Sequence, residues 1–364
     1  MLSCARCAAL SFARKVNSAE YDRDASAKRR GSMRSTLRGP LGWALAASLV
    51  FAACNSAATP GASPSKTPRI GGLDRPIQLA FTPSTQAATI STNGNAIKAA
   101  LEKATGLRIN VTVMTSYAAQ VEAMCAGSVD MGFFAPLQMT LLLSKGCGTP
   151  VLGALRKDDT GQLATTYKSQ ILVKADSGIK DINGLKGKKF AFVDPLSASG
   201  YVYPTLVVKN KTGQDPKTFF SSTIFAGGHP QAALAVYQGT VDGAATFIDA
   251  RDSLVATTPD IKTKTTVIDT AGPIPNDGVA LAKNFPDDIA KQVKDALLAY
   301  SKADDGKKVF SALFSWDGIQ EISPSFYDDM KTAAALAGVD VQGLANATPK
   351  PAATTAAPSP SKSP

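Results

Sequence analysis

The most constraining feature of the sequence is a regular alternation between short apolar runs and longer stretches with helical periodicity. From residue 77 onward the chain contains, in order, IQLAFT, NAIKAALEKATG, INVTVM, YAAQVEAMCAG, VDMGFF and an apolar helical stretch around 139–143. Gly106 and Gly127 end two of the helical stretches, where a C-cap is expected. This alternation predicts βαβ units and a parallel sheet.

A second series with the same order follows the run SQILVKADSG. It contains KFAFV, a helical stretch over 201–209, STIFAGG, QAALAVYQG, VDGAATF and a helix near 251–256. The pattern helix, Gly, x, Val-Asp, strand occurs in both series, as CAGSVDMGFF and as YQGTVDGAATF. The repetition predicts two α/β lobes around one cleft. The strand GVALA and helices over 287–303, 305–314 and 325–337 are expected to return to the first lobe.

One loop of the second series, DPLSASGYVYP (194–204), carries polar side chains between a buried strand and a helix. The first N–H groups of a helix lack intrahelical acceptors, and the helix dipole is positive at that end. Together with the hydroxyls of Ser197 and Ser199, they predict a pocket for a small oxyanion. The alternative is that Ser199 only caps the helix, and the local sequence leaves both open.

The start of the chain is typical of an export signal. Residues 1–32 are polar and basic, and the segment MRSTLRGPLGWALAASLVFAAC then joins two arginines to an apolar stretch too short to span a bilayer. Its ending, FAAC, resembles a bacterial lipoprotein signal, which predicts that Cys54 carries lipid in a protein held outside the cytoplasm at the bacterial cell membrane. An ordinary secreted protein is the alternative. Either Met1 or Met33 is the start.

Composition divides the remainder of the chain. We expect residues 1–53 to be a leader, 54–75 a flexible tether and 347–364 a disordered tail, because the last two are rich in Pro, Ser, Ala and Thr. The net charge is +10, and much of it lies in the leader. Since no arginine-rich run or basic stripe with interleaved aromatics occurs, nucleic-acid binding is not expected.

Two cysteines, Cys125 and Cys147, lie within the expected folded unit. Disulfides persist in oxidising compartments outside the cytoplasm, so an exported domain favours a bond between these two residues. Two buried free thiols are the alternative.

A resemblance becomes specific in four segments of the second half of the chain, FVDPLSASGYVYP, TGQDP, FAGGHPQAALAVYQGTVDGAA and PIPNDGVAL. The chain resembles the phosphate-, phosphite- and phosphonate-binding proteins of ABC importers over about residues 77–337. The resemblance implies an α/β type II periplasmic-binding-protein fold whose two lobes close on a ligand. We expect lobe 1 over 76–171 and 274–346, lobe 2 over 172–273, and crossing segments near 170–173 and 270–274.

The resemblance also implies a set of binding residues. The serine-rich loop of the family holds the oxyanion, and its matching positions are Ser197, Ala198, Ser199 and Gly200. Ala198 stands where relatives commonly carry a hydroxyl residue. The chain's one histidine, His229 in the GGH segment, matches a ligand-contacting histidine that can bind neutral or protonated. Two tyrosines of the other lobe match Tyr117 and Tyr167.

Two acidic residues complete the set that the resemblance implies, Asp249 in FIDAR and Asp277 in IPNDG. A carboxylate beside an anion is repelled by it, so we expect these groups to accept a P–OH proton or to pair with the ammonium of an aminoalkylphosphonate. Asp249 has a second interpretation, as a helix N-terminal charge or an ion pair with Arg251. Asp277 also has a second interpretation, as a residue that organises the PNDG turn.

The function that we expect is therefore that of a binding protein and not an enzyme. It would be a monomer without cofactor or metal, anchored to the membrane by lipid, delivering a small phosphorus oxyanion to an ABC permease and its ATPase. A receptor for a sulfonate or another small anion is the alternative. A hydrolase using Ser199 and His229 is less favoured, because the loop lacks the G-x-S-x-G pattern.

Overall fold

The structure is a computed structural model that describes residues 69–158 and 160–346. The predicted leader, Cys54, most of the tether and the tail lie outside the described residues. Within the described part of the chain, no helix has both the length and the apolar character needed to cross a membrane.

The first sheet gathers strands from both ends of the folded unit. Its members are β1 (Ile77–Phe81), β2 (Ile109–Val113), β3 (Met131–Phe134), β4 (Gly148–Lys157), β5 (Leu163–Ala164), β11 (Gly278–Ala282) and β12 (Gly318–Glu321). The order is β12-β4-β11-β3-β1-β2, with β5 paired to β4. β1 runs parallel to β2 and β3, whereas β11, β4 and β12 add antiparallel pairs.

The second sheet is built from the middle of the chain. Its members are β6 (Thr166–Lys174), β7 (Lys189–Phe192), β8 (Ser222–Phe225), β9 (Gly243–Phe247) and β10 (Thr265–Pro275). The order is β10-β6-β9-β7-β8. β7 runs parallel to β8 and β9, as the βαβ pattern predicts, while β6 is antiparallel to β9 and to β10.

Helices cover both sheets. They are α1 (Ala87–Thr105), α2 (Tyr117–Cys125), α3 (Pro136–Lys145), α4 (Tyr203–Thr212), α5 (Pro216–Phe219), α6 (His229–Tyr237), α7 (Ile261–Lys264), α8 (Asp287–Lys302), α9 (Asp304–Phe314), α10 (Asp328–Ala337) and α11 (Val341–Asn346). A π-helical turn over Ala198–Val202 leads into α4, and the helix expected near 251–256 is a 3₁₀ turn over Ala250–Leu254. Gly106 caps α1 in the left-handed conformation that its position predicts.

Each lobe has an apolar core of its own. In the first lobe, the rings of Phe81 and Phe133 stack on each other. Phe133 also packs against Phe310, which lies in α9, and against Trp316, which follows that helix. In the second, Phe190 stacks on Phe220. The prediction of an α/β fold with two lobes is confirmed by these two sheets. A further apolar cluster, which includes Leu142 of the first lobe and Val236 of the second, joins the lobes.

The chain changes sheets at different points from those expected. β6 and β10 pair with each other from Thr166 and Pro275 to Lys174 and Thr265, and both belong wholly to the second sheet. The crossings therefore lie between β5 and β6 and at Asn276–Asp277, whereas 170–173 and 270–274 lie inside the strands. The apolar run QILV lies within β6, a central strand of the second sheet. The run was assigned to a crossing because its apolar residues alone do not distinguish a buried strand from an apolar connecting segment.

Asn276 fixes the second crossing. Its side-chain NH₂ group donates to the carbonyls of Ala154 and Ala164, at 3.0 Å each, and its backbone carbonyl accepts from the hydroxyl of Tyr327. This buried residue thus bonds to β4 and β5, which precede the first crossing, and its backbone N–H donates to the carbonyl of Thr165 within that crossing at 2.9 Å. These bonds hold the two connecting segments together.

Hydrogen bonds between the lobes close the cleft. The backbone N–H of His229 donates to the carbonyl of Ser84 at 3.2 Å, and Lys209 Nζ donates to the carbonyl of Ala337 at 2.8 Å. The first bond lies between the loop after β1 and the start of α6, and the second between α4 and the end of α10. The structure is that of the closed form.

Cys125 and Cys147 are joined by a disulfide at the end of α2, with their Cα atoms 4.9 Å apart. The bond closes a loop with a sequence separation of 22 residues. Both thiols should therefore resist alkylation in the native protein until a reductant is added. Cys125→Ser should lower the free energy of unfolding by about 3 kcal/mol, because the unfolded chain regains the entropy of that loop. Immediate labelling of both thiols in unreduced, folded protein would contradict the prediction.

Candidate ligand-binding site

A partly open cavity of about 50 Å³ lies between the two lobes. A single water needs at least about 10–15 Å³ of such space, so the cavity has room for a group of only a few heavy atoms. Its polar wall includes Thr82, Ser84 and Tyr117 from the first lobe and Ser197, Ser199 and His229 from the second. Its apolar wall includes Phe133, Phe134, Phe314 and Trp316.

The serine-rich loop has its shape because Ser197 caps the following helix. Ser197 Oγ accepts the N–H of Gly200 at 3.0 Å, and the carbonyl of Gly200 accepts the N–H of Val193 at 3.1 Å. A side chain on Gly200 would overlap that of Val193, so the close return of the loop onto β7 requires glycine here. The cap is thus Ser197 and not Ser199.

Ser199 has a different set of contacts. Its hydroxyl lines the cavity and accepts from the hydroxyl of Tyr167 at 3.3 Å, and its carbonyl accepts from Ser169 Oγ at 2.6 Å. Ala198 and Gly200 are buried behind the cavity wall, and the methyl group of Ala198 packs in the apolar core. In this first turn the cap takes the N–H of Gly200, and the N–H of Val202 donates to the carbonyl of Ser197 at 3.2 Å.

His229 is the first residue of α6 and is only 4% exposed. Its Nδ1 accepts the backbone N–H of Phe247 at 3.3 Å and lies 2.8 Å from the hydroxyl of Thr246. Since a backbone N–H can only donate, we assign the ring proton to Nε2. Burial, together with the positive charge of Arg156, lowers the pKa of His229 to about 3. The ring is therefore a neutral donor, which settles the choice that the sequence left open.

Tyr117 opens α2 in the first lobe and is 1% exposed. Burial raises the pKa of its phenol well above the ordinary value, and the negative charges of Asp194 and Asp277 add to the rise, while a hydrogen bond with Ser197 opposes it. The phenol thus remains protonated and faces the capping serine of the other lobe.

Tyr167 belongs to β6 and so to the second sheet, not to the first lobe as expected. The difference follows from the position of the first crossing, which precedes this residue. Burial raises the pKa of its phenol, which stays protonated and donates to Ser199.

Asp277 lies at the second crossing and pairs with Arg156, near the end of β4, with 2.6 Å between Oδ2 and Nη2. The guanidinium lies 4.7 Å from the ring centre of Tyr167 and 5.2 Å from that of Phe247. The repulsion expected between Asp277 and an anion is thus offset by a cation that the sequence analysis missed. The sequence does contain a signal for Arg156, because this residue lies on the same face of β4 as Leu152 and Ala154, where apolar residues are expected.

Asp249 is not brought to the cavity. It is exposed, has a φ of 62°, and begins the 3₁₀ turn after β9. It lines an adjoining surface groove with Lys168 and Asp252, and Arg156 and Tyr167 lie between that groove and the cavity because they line both. Arg251, its expected partner, donates instead to the carbonyl of Thr265 at 3.0 Å. β9 ends with Phe247 at the cavity, and the left-handed turn two residues later leads the chain outward.

A second group that the sequence analysis missed is the hydroxyl cluster after β1, Thr82, Ser84 and Thr85. The signal was available, because the segment FTPSTQ follows the carboxyl end of a parallel strand, where ligands of α/β sheets bind. Among the described residues, no group of three or more His, Cys, Asp or Glu side chains is arranged to hold a metal ion.

Comparison with known proteins places these features in a family. Residues 79–327 match the family model described as ABC transporter, phosphonate, periplasmic substrate-binding protein. The phosphate-import protein PhnD of Mycolicibacterium smegmatis is 34% identical over 223 residues, which cover 59% of this chain and 66% of the relative. The phosphonates-binding periplasmic protein of Escherichia coli is 27% identical over 217 residues, 58% of this chain and 62% of the relative. The matches thus span slightly under two thirds of either relative.

Solved structures share the fold. A binding protein component of an ABC phosphonate transporter from Pseudomonas aeruginosa superposes with a TM-score of 0.66 at 21% identity, covering 76% of this chain and 90% of that one. PhnD1 from Prochlorococcus marinus, solved in complex with methylphosphonate, gives 0.63 at 16% identity, covering 72% and 98%. The two-lobed fold of periplasmic binding proteins is therefore shown for this chain.

The neutral state of His229 predicts a pH-dependent stability. Its pKa of about 3 in the folded protein is below its ordinary value of 6.5, so the unfolded chain binds the proton more readily and stability falls as the pH drops below about 6.5. Between pH 7 and pH 5 this effect should cost about 2 kcal/mol. His229→Gln should lack it. Urea titrations at both pH values measure the difference, and equal pH dependence in the two proteins would show that folding leaves the pKa of His229 unchanged.

Proposed function

Because the chain belongs to the family of periplasmic phosphonate-binding proteins of ABC transporters, we propose that it is the extracytoplasmic receptor for a small phosphorus oxyanion. Phosphate, phosphite and phosphonates share the tetrahedral head that such a site would hold. The observation that carries the proposal is the cavity between the lobes, in which Ser197, Ser199 and His229 of one lobe face Tyr117 of the other.

The donors of the cavity suit an oxyanion. The Nε2–H of His229 and the protonated phenol of Tyr117 are neutral donors, Tyr167 donates to Ser199 and leaves the proton of that hydroxyl for the anion, and the first turn of the helix after Ser197 adds its dipole. Hydrogen bonds to an ionised acceptor are roughly twice as strong as those between neutral groups. Several such bonds to one head group would compensate for its lost hydration.

The contacts of His229 favour binding over hydrolysis. In a Ser-His-Asp triad the histidine Nδ1–H donates to a carboxylate, and Nε2 accepts the serine proton. Here Nδ1 accepts from the N–H of Phe247, so Nε2 carries the proton and has no lone pair to receive another. The same histidine that cannot act as a base is a suitable donor to an anion.

Delivery to a permease requires that the cleft open again. The proposal includes a membrane permease with its ATPase as partners, in keeping with the family description. It also includes a monomeric receptor tethered through lipid on Cys54, which the FAAC segment supports.

The binding role of Ser199 can be separated from the capping role of Ser197. Ser199→Ala should weaken phosphate or methylphosphonate binding by about 10- to 150-fold, because one hydrogen bond to a charged group is lost. The free protein should unfold at nearly the same denaturant concentration. Ser197→Ala should lower the stability of the free protein by about 0.5–2 kcal/mol, since it removes the cap.

Calorimetry with phosphate, phosphite, methylphosphonate and sulfate measures the binding part of this experiment. Ser222→Ala, on the exposed edge strand β8, is the matched control and should bind as the unmodified protein does. Equal affinity of Ser199→Ala and the unmodified protein would place the anion elsewhere. Tightest binding of sulfate would instead favour a receptor for sulfonates or related anions.

The anchor predicts how the protein fractionates. In cells the mature chain should begin at lipid-modified Cys54 and sediment with membranes, because several acyl chains on one residue hold a protein to a bilayer far more firmly than one. Cys54→Ser should move it to the soluble fraction without changing anion affinity. A soluble, unmodified chain cleaved at another residue would contradict the anchor while leaving the receptor proposal intact.

A further inference from the structure

The charges of the cavity are few and already paired. Of the described residues that line it, Arg156 and Asp277 alone carry charge, since His229 is neutral. Their side chains are 10% and 18% exposed, and 2.6 Å separates Nη2 from Oδ2. An incoming ligand therefore meets a buried ion pair and not a free carboxylate.

The guanidinium of Arg156 is held in position on several sides. The ring of Tyr167 lies 4.7 Å from its central carbon and that of Phe247 lies 5.2 Å away, while Asp277 binds one terminal nitrogen. Its Nε is buried, with no hydrogen-bond partner among the described residues. Stacking and ion pairing together keep the positive charge at the cavity wall, because moving it away would break all three contacts.

Asp277 has little capacity to serve a ligand cation. Its Oδ2 binds Arg156, and the indole N–H of Trp316 lies 3.5 Å from the same oxygen. Asp249, the other acidic candidate, is exposed and outside the cavity. Asp194 is not among the lining residues, and its carboxylate accepts the N–H of Leu196 at 2.8 Å.

We propose that Arg156 is a specificity-determining residue that rejects phosphorus anions with a cationic substituent and favours those with no substituent or an apolar one. The inference rests on the proposed function and narrows its ligand class. An ammonium on the ligand would enter a cavity with room for only a few heavy atoms, close to a fixed guanidinium and without a free carboxylate. The ammonium would lie beside a like charge, and the carboxylate of Asp277 is already bound to that guanidinium.

The remaining wall suits the favoured ligands. Phe133, Phe134, Phe314 and Trp316 present apolar surface to the cavity. A hydrogen or a small alkyl group on phosphorus loses little hydration on contact with these rings, whereas an ammonium there exchanges its hydrogen bonds to water for contacts with ring faces. The apolar wall thus suits the favoured ligands, and the selection against a cation is assigned to Arg156.

The test compares two ligands of nearly equal size, ethylphosphonate and aminomethylphosphonate, which differ in a terminal methyl or ammonium group. The full chain should bind ethylphosphonate at least 10-fold more tightly. In Arg156→Gln, whose amide can still donate to Asp277, that ratio should fall at least 10-fold. Arg156→Lys keeps the charge and should keep the preference, which separates charge from the shape of the side chain. Phosphate is the reference ligand for all three proteins.

The outcomes separate this inference from the proposed function. If the full chain binds neither phosphate nor methylphosphonate, the proposed function fails and the inference with it. If phosphate binds but the two test ligands bind equally, or neither of them binds, then charge at Arg156 does not select and only the inference is overturned. A ratio that is the same in Arg156→Gln and the unmodified protein overturns it as well.

A second variant covers the case in which Arg156→Gln does not fold. Asp277→Asn leaves the guanidinium without its counterion, so phosphate should bind at least 10-fold more tightly and the preference for ethylphosphonate should increase. Unchanged affinity and preference in that variant overturn the inference. Circular dichroism of each variant, without ligand, reports whether it has folded.

Discussion

The ion pair between Arg156 and Asp277 is the interaction on which the rest of the site depends. Arg156 comes just before the first crossing between the sheets, and Asp277 lies at the second, so one buried bond joins both connections. Removing one partner of such a pair typically costs about 3–5 kcal/mol, because the other charge is left buried without compensation. The pair also balances the charge of the cavity. Hence the hydrogen-bond donors that face an anion are mostly uncharged groups, and the strength of their hydrogen bonds changes little across the physiological pH range.

Much of the fold follows from local pattern. The alternation of short apolar runs with stretches of helical periodicity predicts that β1, β3 and β7 are buried strands. The order helix, Gly, x, Val-Asp, strand occurs twice and identifies the two equivalent halves. The crossings were misplaced because QILV is equally apolar in a central strand and in a connection. Only pairing with β9 and β10 distinguishes the two, and strand pairing between distant segments cannot be deduced from the period of one segment.

The candidate site was predictable where sequence motif and position coincide, as at Ser197, Ser199 and His229. It was not predictable where the outcome depends on burial by distant elements. The neutral state of His229 follows from desolvation and from Arg156, which is 73 positions away in the sequence. Asp249 and Asp277 were both expected at the ligand, yet a left-handed turn directs Asp249 to the surface, while Asp277 lines the cavity. Arg156 was missed because a single charged residue near the end of a strand is usually solvated.

The pairing of β6 with β10 has a mechanical consequence. Two strands bonded along their length resist sliding past each other, so the lobes are expected to separate by rotation about this ribbon, with the torsion concentrated in the short segments that follow Ala164 and Pro275. A rotation has one degree of freedom. Opening of the cleft would then move Ser84 away from His229 and break the backbone bond that joins the two lobes there.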